Sequence, residues 1–150
     1  MLGFDIANER EQIRRGCELL THRTRLYEEL TARENLLLFA DLLAIDRDRV
    51  DDALERVGLV RDADERVRGF SHGMRQKVAV ARTIARDPEL LLLDEPATGL
   101  DDSARAVVDA MILDAAAKGR TIVIATHHTV THGLTARVVS MREGHIEGQT

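Results

Sequence analysis

The sequence predicts an α/β fold built on a mostly parallel sheet, and three observations carry that expectation. Leu90-Leu91-Leu92-Leu93 is an unbroken apolar run, the pattern of a strand buried on both faces, because a half-solvated strand alternates apolar with polar residues. The run ends abruptly at Asp94 and Glu95, and Pro96 bars its continuation as a central strand. A second β-rich run, Thr121 to Ala125, follows after one helix-length segment, as a βαβ crossover requires. Ligands of open α/β sheets sit beyond the carboxyl ends of the strands, so Asp94 and Glu95 are the first candidate functional residues. A solvated acidic turn after a core strand is the plainer alternative.

The other elements follow in order. Gly16-Cys17-Glu18-Leu19-Leu20 reads as a short strand after a charged stretch, Arg10 to Arg15. Thr31-Ala32-Arg33-Glu34 fits a capping box opening a helix through Leu36, Leu37, Phe39, Ala40 and Leu43. A second helix starts near Asp48, sets Val50, Ala53, Leu54 and Val57 on one face, and stops at Gly58. Residues 60–69 read as a charged connector. Ser71 is a favourable N-cap for a helix running to Arg86, with Met74, Val78, Ala81 and Ala85 on its apolar face and Pro88 ending the pattern. Such a capped N-terminus presents free N–H groups and a positive dipole end, a natural seat for phosphate.

Beyond the leucine strand, Asp102 or Ser103 is expected to cap a helix with an apolar stripe of Ala104, Val107, Val108, Met111, Ile112 and Ala115. Lys118 and Arg120 near its end suit the dipole. Val138 to Met141 and Gly144 to Glu147 read as a terminal hairpin.

Composition narrows the function classes. The 150 residues suffice for one ordinary domain, and a net charge of −5 with interspersed signs argues against a nucleic-acid surface. A single cysteine, Cys17, excludes an internal disulfide and fits a reducing cytosolic location, with a small buried apolar residue as its plainer reading. No apolar run approaches the roughly eighteen residues that span a bilayer. The acidic N-terminus does not read as a signal peptide, so work at a membrane would need another subunit.

At this point four motifs in order resemble those of ATP-binding cassette (ABC) ATPases. Phe70-Ser71-His72-Gly73-Met74 resembles their signature, and Leu90 to Pro96 looks like their Walker B strand. Gly99-Leu100-Asp101 is similar to their D-loop, and Thr126-His127 after a β-run to their switch histidine. The resemblance implies a partial P-loop NTPase domain of ABC type. Residues of about 22–69 would form the helical subdomain with the Q-loop region, and residues 70–150 the signature, Walker B, D-loop, switch histidine and terminal strands. It further implies ATP and Mg²⁺ as ligands. Asp94 would hold Mg²⁺, Glu95 polarise the attacking water, and His127 contact the γ-phosphate. Ser71 and the amide of Gly73 would bind a γ-phosphate belonging to the opposite subunit of a head-to-tail dimer. Asp101 would lie at that dimer interface. His22 falls where the family has the Q-loop glutamine, an ordinary surface histidine being the alternative.

The partners implied are a second nucleotide-binding domain and a transmembrane permease, with the chain cytoplasmic and peripheral at the inner face of the membrane. His72 and Met74 depart from the signature in a way similar to haem-exporter-like and ABC-2-type branches, which points to export. A metal site at His127, His128 and His132 is the competing reading of the histidines, but no carboxylate or cysteine joins them at ligand spacing.

One family motif is missing. No Gly-x-x-x-x-Gly-Lys followed by Ser or Thr occurs, nor another glycine-rich phosphate loop. The expectation is a truncated domain lacking the P-loop, the adenine-stacking aromatic and the strand beside Leu90 to Leu93, which would leave that strand with an unpaired edge. Three functions stay open: a transporter ATPase cut short, a chain that only completes a partner's composite ATP site, and a split ABC-type ATPase of the DNA-repair or chromosome class. Residues 22–60 speak against the last, because they do not read as a coiled coil.

Overall fold

The leucine run is the middle of a three-stranded parallel sheet in the computed structural model, which describes residues 1–127 and 136–149. A short helix α1 (Arg10–Gly16) leads into β1 (Cys17–Thr21), which pairs with the leucine strand from Cys17↔Leu90 to Thr21↔Asp94. The helical segment comes next, with α2 (Ala32–Leu43) and α3 (Asp48–Arg56), followed by α4 (His72–Arg86). The leucine strand is β2 (Leu90–Asp94); α5 (Asp102–Ala117) then crosses to β3 (Thr121–Ala125), parallel to β2 on its other side. An antiparallel hairpin of β4 (Val139–Arg142) and β5 (His145–Gln149) closes the described chain.

Two expectations about the leucine strand are corrected. Its neighbour is not missing: β1 pairs along one edge and β3 along the other, so among the described residues the open edges belong to β1 and β3. The second face of the leucine strand is covered only in part, with Leu90 buried at 7% exposure. Side chains alternate across a strand, and Leu20, Leu91 and Leu93 pack with Val78, Val80, Val108 and Ile112 on the helix side. On the opposite face Leu19 (45% exposed), the half-buried Leu92 and Val123 (54% exposed) lie in register across the sheet.

Local chemistry sets the helix boundaries. The capping box of α2 is complete, with Thr31 Oγ1 accepting from the Glu34 N–H at 3.1 Å and Glu34 Oε2 accepting from the Thr31 N–H at 2.8 Å. Helix α3 buries Val50, Ala53 and Leu54, and Val57 beyond its end is buried as well. Residues 60–69 do more than connect. They form two single 3₁₀ turns, Val60–Asp62 and Val67–Gly69, with Ala63 and Val67 wholly buried. The cap of α5 is Asp101, not Asp102 or Ser103, because Asp101 Oδ1 accepts from the Ala104 N–H at 2.8 Å. Lys118 and Arg120 lie past the last turn of α5 and bond to Asp87, the left-handed residue that ends α4.

Two buried polar groups brace the structure, one within the helical segment and one between α4 and the sheet. Asn35 is fully buried, accepting from the Tyr27 N–H at 2.8 Å and donating to the Tyr27 and Thr31 carbonyls at 3.0 and 2.9 Å. Arg82 of α4 donates to Glu18 of β1 at 3.1 Å and to the Thr24 carbonyl at 3.3 Å, and its guanidinium lies 4.6 Å from the centre of the Phe39 ring. Glu18 also pairs with Arg86, so one buried carboxylate faces two guanidinium groups.

Candidate functional site

Strand register builds the site. Thr21, Asp94 and Ala125 stand level across the sheet, so the residues after them, His22, Glu95 and Thr126, all leave from the same carboxyl-terminal edge. Glu95 takes a left-handed conformation with φ 47°, uncommon for a residue with a side chain. Its N–H donates to the Ala125 carbonyl at 2.9 Å, which continues the β2–β3 pairing into the turn.

The Glu95 carboxylate is held on both oxygens. Oε1 accepts from the His127 N–H at 2.9 Å and lies 2.7 Å from His127 Nδ1. Oε2 accepts from Thr98 Oγ1 at 2.9 Å and Thr126 Oγ1 at 3.4 Å. Hydrogen bonding from the His127 ring, helped by Thr98 and the His127 N–H and opposed by partial burial, lowers the Glu95 carboxyl to about 2. Such a carboxylate stays ionised at neutral pH, suited to orienting and polarising a water rather than storing a proton.

Asp94, at the tip of β2, is exposed, and its carboxylate makes no hydrogen bond or ion pair among the described residues. Two uncommitted carboxylate oxygens at a strand end fit a hard divalent cation such as Mg²⁺. His22 is exposed at the same edge and makes no hydrogen bond to Asp94 or Glu95.

A second group gathers where α4 and α5 begin. Ser71 Oγ accepts from the Met74 N–H at 3.2 Å, and Ser71 and His72 are exposed. Gly73 is buried: a β-carbon there would stand 3.2 Å from Asp101 Oδ2 and 3.3 Å from Ala104 Cβ. Glycine thus lets the Asp101 carboxylate approach the first turn of α4 while it caps α5. Lys77 Nζ, donating to Ser103 Oγ at 2.9 Å, pins the same two helices.

The structure therefore brings Glu95 and His127 into contact, and separately Gly73 and Asp101. His128 and His132 lie outside the described residues. Sequence reading gave no role of their own to Thr98, Thr126 and Gln76. Gln76 Nε2 donates to the Pro96 carbonyl at 3.3 Å, directly beneath the Glu95 turn. Its signal was available: a glutamine spaced four and seven residues before Val80 and Thr83 belongs to the buried face of α4. Thr98, three residues after Glu95 in a Pro-Ala-Thr-Gly turn, is placed to bond back to it.

Comparison with known proteins bears on this arrangement. Residues 2–98 match a family model described as ABC transporter. The chain is 36% identical over 130 residues to the ABC transporter ATP-binding protein NatA of Bacillus subtilis, covering 83% of this chain and 53% of that protein. It is 41% identical over 138 residues to a fluoroquinolones export ATP-binding protein of Mycobacterium tuberculosis, covering 91% and 44% respectively. A Nod factor export ATP-binding protein of Mesorhizobium japonicum is 34% identical over 131 residues, 85% of this chain and 38% of that one. The chain thus spans about half the length of the curated relatives it matches.

Among solved structures, an ATP-binding subunit of an ABC transporter superposes with TM-score 0.88 at 28% identity, over 100% of this chain and 65% of that one. A dimeric ATP-binding cassette bound to ADP and Pi, in a post-hydrolysis state, gives TM-score 0.81 at 26% identity, over 99% and 68%.

Proposed function

The chain belongs to the ABC transporter family, and from that membership we propose that residues 1–150 form part of an ATP-binding and ATP-hydrolysing subunit that drives export through a transmembrane permease. The observation that carries the proposal is the Glu95 carboxylate fixed by His127 at the carboxyl edge of a parallel sheet, one residue after the exposed Asp94. Relatives whose names specify export of fluoroquinolones or Nod factors support the direction of transport. The described chain has no helix long and apolar enough to cross a membrane. Membrane attachment in this reading comes from the permease, with the chain peripheral at the cytoplasmic face.

In this reading the division of labour follows the geometry. Asp94 holds Mg²⁺, which when bound neutralises phosphate charge. Glu95 aims the attacking water, and His127 faces the γ-phosphate while keeping Glu95 ionised. Ser71 and the amide of Gly73, in the first turn of α4 where N–H groups have no intrahelical acceptor, face a γ-phosphate held by the other subunit of a head-to-tail dimer. Asp101 sits at that interface, and His22 lines the edge at the Q-loop position. The cradle for the remaining phosphates comes from outside residues 1–150. The uncovered Leu19–Leu92–Val123 face and the open edge of β3 are the surfaces on which it would pack.

A second reading is favoured by the same missing loop: the chain lends Ser71 and Gly73 to a complete partner's nucleotide and has no turnover of its own. Titration of Mg-ATP tests the proposal. Alone, the 150 residues bind more weakly than ~1 mM, a free energy of only about −4 kcal/mol. Joined to a P-loop-bearing segment, they bind in the micromolar range. Micromolar affinity of the chain alone, or no binding after joining, contradicts it.

A further inference from the structure

We propose that Gln76 is a positioning residue for Glu95, its side-chain amide holding the turn after β2 against α4 through the Pro96 carbonyl. The inference rests on the reading of Glu95 given above, and its geometry stands on three observations.

First, Gln76 is 1% exposed on a helix face otherwise lined by Val80 and Thr83, where an unbonded amide is costly. Its Nε2 donates to the buried Pro96 carbonyl at 3.3 Å, whereas its Oε1 has no partner among the described residues. An apolar side chain would avoid that stranded acceptor, so the donor is what glutamine contributes here.

Second, the turn needs holding. Glu95 sits at φ 47°, a conformation that persists only when its surroundings over-determine it. Ala125 of β3 accepts the Glu95 N–H, and Thr98 bonds back within the turn. Gln76 supplies the hold from α4 on the very next residue.

Third, Gln76 lies one helical turn beyond Gly73, in the helix whose start carries Ser71. A single rigid helix therefore joins the proposed phosphate-facing cap to the carboxylate turn.

Amide hydrogen exchange on the full 150-residue chain, with Gln76→Met and Gln76→Leu, tests this. Both variants remove the donor and keep an apolar side chain of similar bulk. The Glu95 and His127 amides should exchange at least about tenfold faster in both, while those of Val80 and Ala81 in α4 stay unchanged. Unchanged exchange at Glu95 and His127, or acceleration shared equally by α4, overturns the proposal. Should a variant fail to fold, the unmodified chain decides: a slowly exchanging Gln76 side-chain amide with a nuclear Overhauser contact to Ala97 supports it, and a fast, averaged amide overturns it. No nucleotide enters the experiment, so its outcome is separate from that of the ATPase reading.

Discussion

Glu95 Oε1 accepts the backbone N–H of His127 at 2.9 Å and lies 2.7 Å from Nδ1 of the same residue. Because an ionised carboxylate only accepts, the ring contact requires a proton on Nδ1. The pair joins the turn after β2 to the end of β3, so the candidate water-activating group and the candidate phosphate sensor form one unit.

That unit sets a pH dependence. The Glu95 carboxyl is lowered from 4.5 to about 2, chiefly by the His127 ring, so the folded state favours the ionised form. Its contribution to stability is fully present above about 4.5 and disappears as pH falls through about 2. Denaturant unfolding of the parent and Glu95→Gln should show a stability difference that is constant above pH 4.5 and shrinks towards zero near pH 2. A difference independent of pH would remove the His127 contact as its source.

Gly73 and Asp101 should be coupled. Alanine at position 73 places its β-carbon 3.2 Å from Asp101 Oδ2, tighter than ordinary contact, against a helix-propensity gain of about 1 kcal/mol. We expect Gly73→Ala to lose about 1–2 kcal/mol net, and Asp101→Ala about 1 kcal/mol through the lost cap. Combined, the two should cost less than their sum, since removing the carboxylate makes room for the methyl. Additive losses in a denaturation cycle would show that the two residues do not press on each other.

The buried charge cluster of Glu18, Arg82 and Arg86 gives a further prediction. Arg82→Met leaves Glu18 with Arg86 as its remaining guanidinium partner among the described residues, and should cost about 1.5–3 kcal/mol through the lost charge-assisted bond. Glu18→Leu should cost more than Arg82→Met, because it leaves both Arg82 and Arg86 without their carboxylate. A Glu18→Leu loss smaller than that of Arg82→Met in denaturant unfolding would contradict the shared pairing.

Much of this was legible in the sequence because the signals are local. Capping chemistry announced α2 at Thr31 and α4 at Ser71, and apolar spacing gave the faces of α3 and α5 and part of the buried surface of α4. What was not legible depends on distant pairing. The partner of the leucine strand is β1, more than sixty residues earlier, which no periodicity reveals. Asp101 and Asp102 are equally good caps on paper, and the approach of Gly73 favours neither until α4 and α5 are packed. At the site, residue types marked Glu95 and His127, but their contact follows from the Asp94↔Ala125 register. Gln76 escaped notice because a polar residue on a helix is first read as solvated, although its spacing to Val80 and Thr83 marks a buried face.

The central claim is that Glu95 directs water at ATP once a phosphate cradle is supplied, and one measurement addresses it most directly. The chain is joined to a P-loop-bearing segment, and steady-state ATP turnover and retained nucleotide are compared for Glu95 and Glu95→Gln. The account predicts turnover reduced about 10²–10⁴-fold with ATP still bound. Equal turnover in the two proteins would contradict it.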